Sequence, residues 1–140
     1  MSDPLHQHLL AALAATPSAP LCVAFSGGPD STALLHALSQ LSEVRTRGLR
    51  ALHVDHGLHA DSAAWAEHCQ RFCATLALPC EVLRVQVDSS KGEGLEAAAR
   101  RARYAALATQ LRDDEYLLLG HHRDDQAETV LLKLLRGAGP

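Results

Sequence analysis

Ser26-Gly27-Gly28-Pro29-Asp30-Ser31 gathers two hydroxyls, two glycines and a carboxylate into six consecutive positions, a set suited to cradling an anion. Glycine lets the backbone take positive φ and come close to a ligand. A helix starting here would add N–H groups without intrahelical partners and the positive end of its dipole. Ser26 and Ser31 supply further donors, so the loop suits phosphate. Asp30 is the odd member, because a carboxylate beside a phosphate repels it unless a cation lies between them; magnesium would resolve that conflict. A plainer interpretation makes Asp30 or Ser31 a helix cap and the glycines only a turn. The pattern S-G-G-x-D-S directly after a strand is far more restrictive than G-x-G-x-x-G, which favours nucleotide phosphate. The G-x-x-x-x-G-K-[ST] pattern of a Walker loop does not occur in the sequence.

Two further stretches carry chemistry. Glu96, Arg100 and Arg103 are spaced by four and three, so on a helix they share one stripe. A Glu–Arg pair of this kind stabilises a helix by only about 0.2–0.5 kcal/mol, and a solvated face would explain it; an arginine held by a carboxylate could instead offer its fork to a phosphate. In Gly120-His121-His122-Arg123-Asp124-Asp125-Gln126-Ala127-Glu128-Thr129, Asp125 and Glu128 have capping-box spacing. The adjacent histidines have no such structural role and could serve as base, donor or ligand. His53, His56 and His59 invite a zinc interpretation, but an extended strand end does not readily bring all three to one ion.

The elements that must position these residues follow from apolar periodicity. A helix is expected over residues 4–15, ended by a proline-containing stretch. The apolar run 21–25 reads as a buried parallel strand, and the helix after the loop is expected to run to about residue 42, with 43–48 turning the chain. A second strand covers 49–55 and ends in Asp55-His56-Gly57-Leu58-His59. Asp61 and Ser62 are N-cap candidates for a long helix whose Trp65, Cys69, Phe72 and Leu76 share a face. A third strand is expected over 81–87, an alanine-rich helix over 95–111, a fourth strand over 116–120 and a last helix over 126–136. Strands alternating with helices imply an α/β fold, a doubly wound parallel sheet with helices on both faces. Such sheets bind ligands beyond the carboxyl ends of their strands, and here all four ends are polar.

Composition sets the bounds. The chain has 140 residues, of which 47% are hydrophobic and 21% charged, which suits one globular domain with a real core. Its formal net charge of −3 and aromatic content of 4% exclude a general polyanion binder and a base-stacking platform. Cys22, Cys69, Cys73 and Cys80 contain no C-x-x-C pair, so reduced, mostly buried thiols and a cytoplasmic location are expected. The N-terminal apolar stretch lacks the basic flank of a signal peptide and is too short to span a bilayer.

The loop resembles the PP-loop of the N-type ATP pyrophosphatases. The ordered set S-G-G-P-D-S, H-V-D-H-G-L-H, E-A-A-A-R-R-A-R-Y and G-H-H-R-D-D-Q-A-E-T is similar to the N-terminal adenylation domain of the tRNA(Ile)-lysidine synthetases. The resemblance implies an adenine nucleotide alpha hydrolase-like fold and ATP with Mg2+ as cofactors. It also implies a ligase that adenylates the C2 oxygen of the wobble cytidine and lets a lysine amine displace AMP. Its partners would be tRNA(Ile) with a CAU anticodon and L-lysine, with no membrane, and the full-length enzyme would be a homodimer. Ser26, Gly27, Gly28, Pro29, Asp30 and Ser31 would hold the phosphates, Asp30 would also hold the metal, and Asp30, Arg103, His121 and Asp125 would act at the reaction centre. Related tRNA thiolases carry a C-x-x-C where this chain has Ala98 to Arg101, which disfavours thiolation. A small-molecule amidating synthetase and a nucleotide-binding module without catalysis compete with the ligase reading. The end of the sequence enters the family's glycine-rich loop, so residues 1–140 are expected to be part of the catalytic domain, without tRNA-binding C-terminal domains and inactive in isolation.

Overall fold

The computed structural model describes residues 9, 13–14, 18–88, 92, 94–123 and 126–136, with the backbone alone for 120–123 and 126–136. Five strands form one sheet: β1 (Leu21–Ala24), β2 (Leu49–Asp55), β3 (Cys80–Arg84), β4 (Tyr116–Arg123) and β5 (Gln126–Arg136). Four helices connect them: α1 (Pro29–Ser39), α2 (Ser42–Arg47), α3 (Ser62–Thr75) and α4 (Leu95–Gln110). The strand order is β3-β2-β1-β4-β5, with β1 to β4 mutually parallel and β5 antiparallel to β4. The chain order reverses at β1, and the glycine loop leaves this strand at its carboxyl end.

Alternation along β1 divides the core into two layers. Leu21, Val23 and Phe25 pack with Leu34, Leu35 and Leu38 of α1 and with Cys69 and Cys73 of α3. Cys22 and Ala24 face the other way, toward Leu107 of α4 and Leu117 and Leu119 of β4. A strand covered on both faces favours apolar residues at every position, which explains the unbroken run in β1; β2 is buried along its whole length but carries Arg50, His53 and Asp55, each with a polar partner.

Several boundaries depart from the periodicity. The helix after the loop begins at Pro29, with Gly28 as N-cap and no side-chain cap, so Asp30 and Ser31 sit in its first turn and neither caps it. It ends at Ser39 rather than at about residue 42. There Gln40 N–H and Leu41 N–H tighten onto Ala37 O and Leu38 O, and Arg45 Nε–H donates to Ser39 O at 2.7 Å. The following stretch, expected as a turn, is the short helix α2, anchored by buried Val44. β3 begins one residue earlier than expected and ends at Arg84.

The larger correction concerns residues 126–136, expected as a helix and found as β5. The run Val130-Leu131-Leu132-Lys133-Leu134-Leu135 is apolar enough for either state, and short apolar runs do not discriminate by periodicity. Tertiary context decides: pairing with β4 from Tyr116↔Arg136 onward occupies backbone groups that β4 would otherwise leave unpaired. A helical capping box from Asp125 to Glu128 therefore does not form, since Glu128 lies in a strand. Asp125 itself lies outside the described residues, as does most of the helix expected over 4–15.

The four thiols are free. Burial pushes Cys22 up to about 12 and Cys69 up to about 11. A hydrogen bond between Cys73 and Cys80 pushes Cys73 up, helped by burial, and pulls Cys80 below the ordinary thiol value against the opposing effect of burial. Because the thiolate is the nucleophile, alkylation of the folded chain by iodoacetamide near neutral pH should label Cys80 first and Cys22 only after unfolding. Peptide mass mapping over time reads this order, and faster labelling of Cys69 would contradict it.

Candidate nucleotide site

The loop is held from within and from outside. Inside it, Ser31 Oγ accepts from Ser26 N–H at 3.1 Å and lies 3.0 Å from Ser26 Oγ, and Ser26 Oγ accepts from Gly28 N–H at 3.2 Å. Gly27 has φ +84°, a conformation that disfavours any side chain. From outside, Trp65 of α3 donates its indole N–H to Ser26 O at 2.8 Å. A Cβ on Gly27 would stand 2.8 Å from Trp65 Cζ2 and 2.9 Å from Cys69 Sγ. Glycine is therefore required here by both dihedral and space. The first helical hydrogen bond of α1 is Thr32 N–H to Gly28 O, so the N–H groups of the preceding turn lie outside the intrahelical ladder, as an anion site needs. Asp30 stands in that turn, and its carboxylate is an oxygen donor of the kind a hard cation takes, so the residues present would suit ATP with magnesium.

Beside the loop, beyond the carboxyl ends of β1 and β2, lies a cavity of about 450 Å³. Ser26, the stretch from Leu52 to His59, Asp61, Ser62, Trp65 and Arg103 line it together with Phe25. Its volume suits a small ligand. A hollow of about 520 Å³ between α3 and β3 is larger but contains none of the loop residues, so the smaller cavity is the better candidate on chemical grounds.

The residues singled out by sequence are brought together in part. Arg103 reaches the cavity from α4; burial draws it below the ordinary arginine value, and its guanidinium lies 5.7 Å from the Tyr104 ring centroid. Glu96 and Arg100 of the same stripe are exposed and do not line the cavity. The register Val23↔Leu118 carries the backbones of Ser26 and His121 an equal distance past the last paired position of β1 and β4; Ser26 lies beyond β1, whereas β4, expected to end at residue 120, continues to Arg123 and keeps His121 paired with Leu131 of β5. The three histidines do not converge: His53 Nδ1 is 2.9 Å from Phe25 O, and His56 Nε2 is 3.2 Å from Ala99 O. Among the described residues no group of three or more His, Cys, Asp or Glu could hold a metal ion.

Trp65 and Asp55 were not legible as site residues. Helical spacing put Trp65 on one face with Cys69, Phe72 and Leu76; Cys69 of that face is buried, whereas Trp65 is 43% exposed and stacks on His68 with centroids 4.8 Å apart. Asp55, buried at the end of β2, accepts from Gly57 N–H at 2.9 Å and lies 3.7 Å from Arg84, which shapes the turn at the cavity wall. For Asp55 the available signals were the polar end of the second strand and the H-V-D-H-G-L-H motif that contains it.

No helix among the described residues is long and apolar enough to cross a membrane. Among curated proteins, the chain is 60% identical over 126 residues to the tRNA(Ile)-lysidine synthase of Xanthomonas campestris pv. campestris, covering 90% of this chain and 29% of that protein. It is 59% identical over 124 residues to the enzyme of the same name from Alkalilimnicola ehrlichii and 51% identical over 138 residues to that of Pseudomonas aeruginosa. The chain thus spans about 29% of the length of the curated relatives it matches. A family model described as a PP-loop domain matches residues 1–140. With the glycine loop, the parallel sheet and the cavity at its strand ends in agreement, the chain belongs to the PP-loop family of ATP-binding domains.

Proposed function

We propose that this chain is the nucleotide-holding part of the catalytic domain of a tRNA(Ile)-lysidine synthase, which activates the wobble cytidine of a CAU-anticodon tRNA(Ile) with ATP and joins L-lysine to it. The observation that carries this reading is the meeting of Ser26, the Asp55–His59 segment and Arg103 at one cavity beyond the strand ends. The enzyme name shared by the relatives supplies the substrate. Binding of ATP by its terminal phosphates falls to Ser26, Gly27, Gly28, Asp30 and Ser31. Asp30 would hold magnesium, which would offset the charge of the phosphates and of the carboxylate beside them. Arg103 offsets charge on the α-phosphate as the cytidine O2–phosphorus bond forms and pyrophosphate leaves. His121 and Asp125 belong beside the cytidine or the lysine, where a carboxylate can orient or deprotonate the incoming ammonium before the amine displaces AMP. The full-length enzyme acts in the cytoplasm and forms a homodimer in this reading.

Calorimetric titration of ATP and magnesium into the chain and its Asp30→Ala variant tests the first half. We expect weak binding by the parent and at least tenfold weaker binding by the variant, in line with the loss of about 1.4 kcal/mol or more. Equal affinities would remove Asp30 from the site. In the full-length enzyme, Arg103→Ala should abolish lysine incorporation into tRNA while leaving thermal stability nearly intact. Adenylation of a small acceptor in place of tRNA would favour an amidating synthetase instead.

A further inference from the structure

We propose that Trp65 is a positioning residue that sets the shape of the phosphate loop from outside it, an inference that rests on the reading of Ser26–Ser31 as the ATP-phosphate site. Three independent contacts point this way. The indole N–H donates to the carbonyl of Ser26 at 2.8 Å. The indole ring fills the space beside Gly27 so closely that a Cβ there would stand 2.8 Å from Cζ2 and 2.9 Å from Cε2. The same side chain lines the cavity with Ser26, Asp55 and Arg103.

The hydrogen bond has a directional consequence. A trans peptide unit is planar, with its C=O and N–H pointing in opposite directions. Pinning the Ser26 carbonyl onto the indole therefore aims the Gly27 N–H away from Trp65, and the ring then blocks the rotation that would turn this peptide over. His68, stacked on the indole at an interplanar angle of 25°, limits the rotamers open to Trp65. A tryptophan kept only for its hydrophobic area would sit in the core, whereas this one is 43% exposed and directs its polar atom to the loop. The donor directions are set before the phosphates arrive, and preorganisation of this kind raises affinity by lowering the cost of ordering the site.

The sequence contains a single tryptophan, so an indole N–H signal belongs to Trp65. Calorimetric titration of the chain with ATP and magnesium gives the parent affinity. Trp65→Phe keeps a ring and loses the donor; it should retain a thermal midpoint close to the parent's while binding ATP roughly three- to tenfold more weakly, the loss matching one hydrogen bond. Trp65→Ala should bind more weakly still. Unchanged affinity in Trp65→Phe would overturn the positioning role. Should that variant fail to fold, the parent decides: slow hydrogen exchange of the indole N–H in the ATP-free chain supports the proposal, and exchange as fast as that of a solvent-exposed indole overturns it. No heat with the parent chain would instead overturn the ATP reading on which it stands.

Discussion

Glu115→Ala should lower the unfolding free energy by about 3–5 kcal/mol, the usual consequence of leaving one member of a buried ion pair alone. Glu115 is 1% exposed and Arg50 8%. The carboxylate receives Arg50 Nε–H and Nη2–H, each at 2.7 Å, and the Arg112 N–H at 3.1 Å. Without it the guanidinium keeps only Gln110 O at 2.9 Å and a 3.7 Å approach to Glu81. Burial pushes the Glu115 carboxyl up, but the hydrogen bonds from Arg50 and the Arg112 backbone, with the charges of both arginines, outweigh it and hold the group below the ordinary value of 4.5. A depressed folded pKa contributes stability that is complete above the unfolded value and is lost as pH falls through the folded one. The gap between parent and variant should therefore narrow below pH 4.5. Urea unfolding across that range measures it, and a loss near 1 kcal/mol or less would mean that the pair behaves as an exposed one. Replacing both partners with apolar residues of similar volume should restore much of the loss. The pair lies toward the amino end of β2, away from the cavity, so nucleotide affinity of the folded chain should not change.

Gly27→Ala should weaken ATP binding by about 30-fold or more. Two costs add at this position: an L side chain in the left-handed region costs roughly 1–2 kcal/mol, and overpacking typically costs about 1–3 kcal/mol. The new methyl would meet the Trp65 ring and Cys69 Sγ at under 3 Å, and Cys69 is buried in the core, so the methyl is not accommodated without a shift of the backbone or the indole. The loop would turn its Ser26–Gly27 peptide or push the start of α3 outward, and either movement misaims the donors. At about 1.4 kcal/mol per factor of ten, a loss of 2 kcal/mol already reaches the stated effect. Calorimetry at matched folded fraction reads it. Gly94→Ala provides the control, since its φ is +86°, nothing lies within 4 Å of a built Cβ and it does not line the cavity; a similar loss of affinity there would mean that dihedral strain alone, and not the Trp65 wall, explains the effect.

The four-stranded parallel core and the three longer helices α1, α3 and α4 were legible in the sequence because both kinds of element announce themselves locally, whereas the short α2 was expected as a turn. Val23 and Phe25 belong to an apolar run too short for a helix, and the alanine-rich stretch of α4 has a helical propensity that no neighbour needs to override. The glycine loop was legible for a related reason: Ser26 to Ser31 lie side by side in the chain, so their chemistry does not depend on folding to bring them together. What only the tertiary structure decided is everything that joins distant residues. Trp65 lies 39 positions from the carbonyl it holds, and its spacing with Cys69 and Phe72 marks a helix face without saying whether core or loop will meet it. Arg103 and Glu96 share a stripe in sequence, yet only the packing of α4 determined which of them reaches the cavity. The stretch from Gln126 to Arg136 carries enough leucine for helix or strand, and the available edge of β4 made it a strand. Periodicity records which residues turn inward; the partner they turn toward is a property of the assembled sheet.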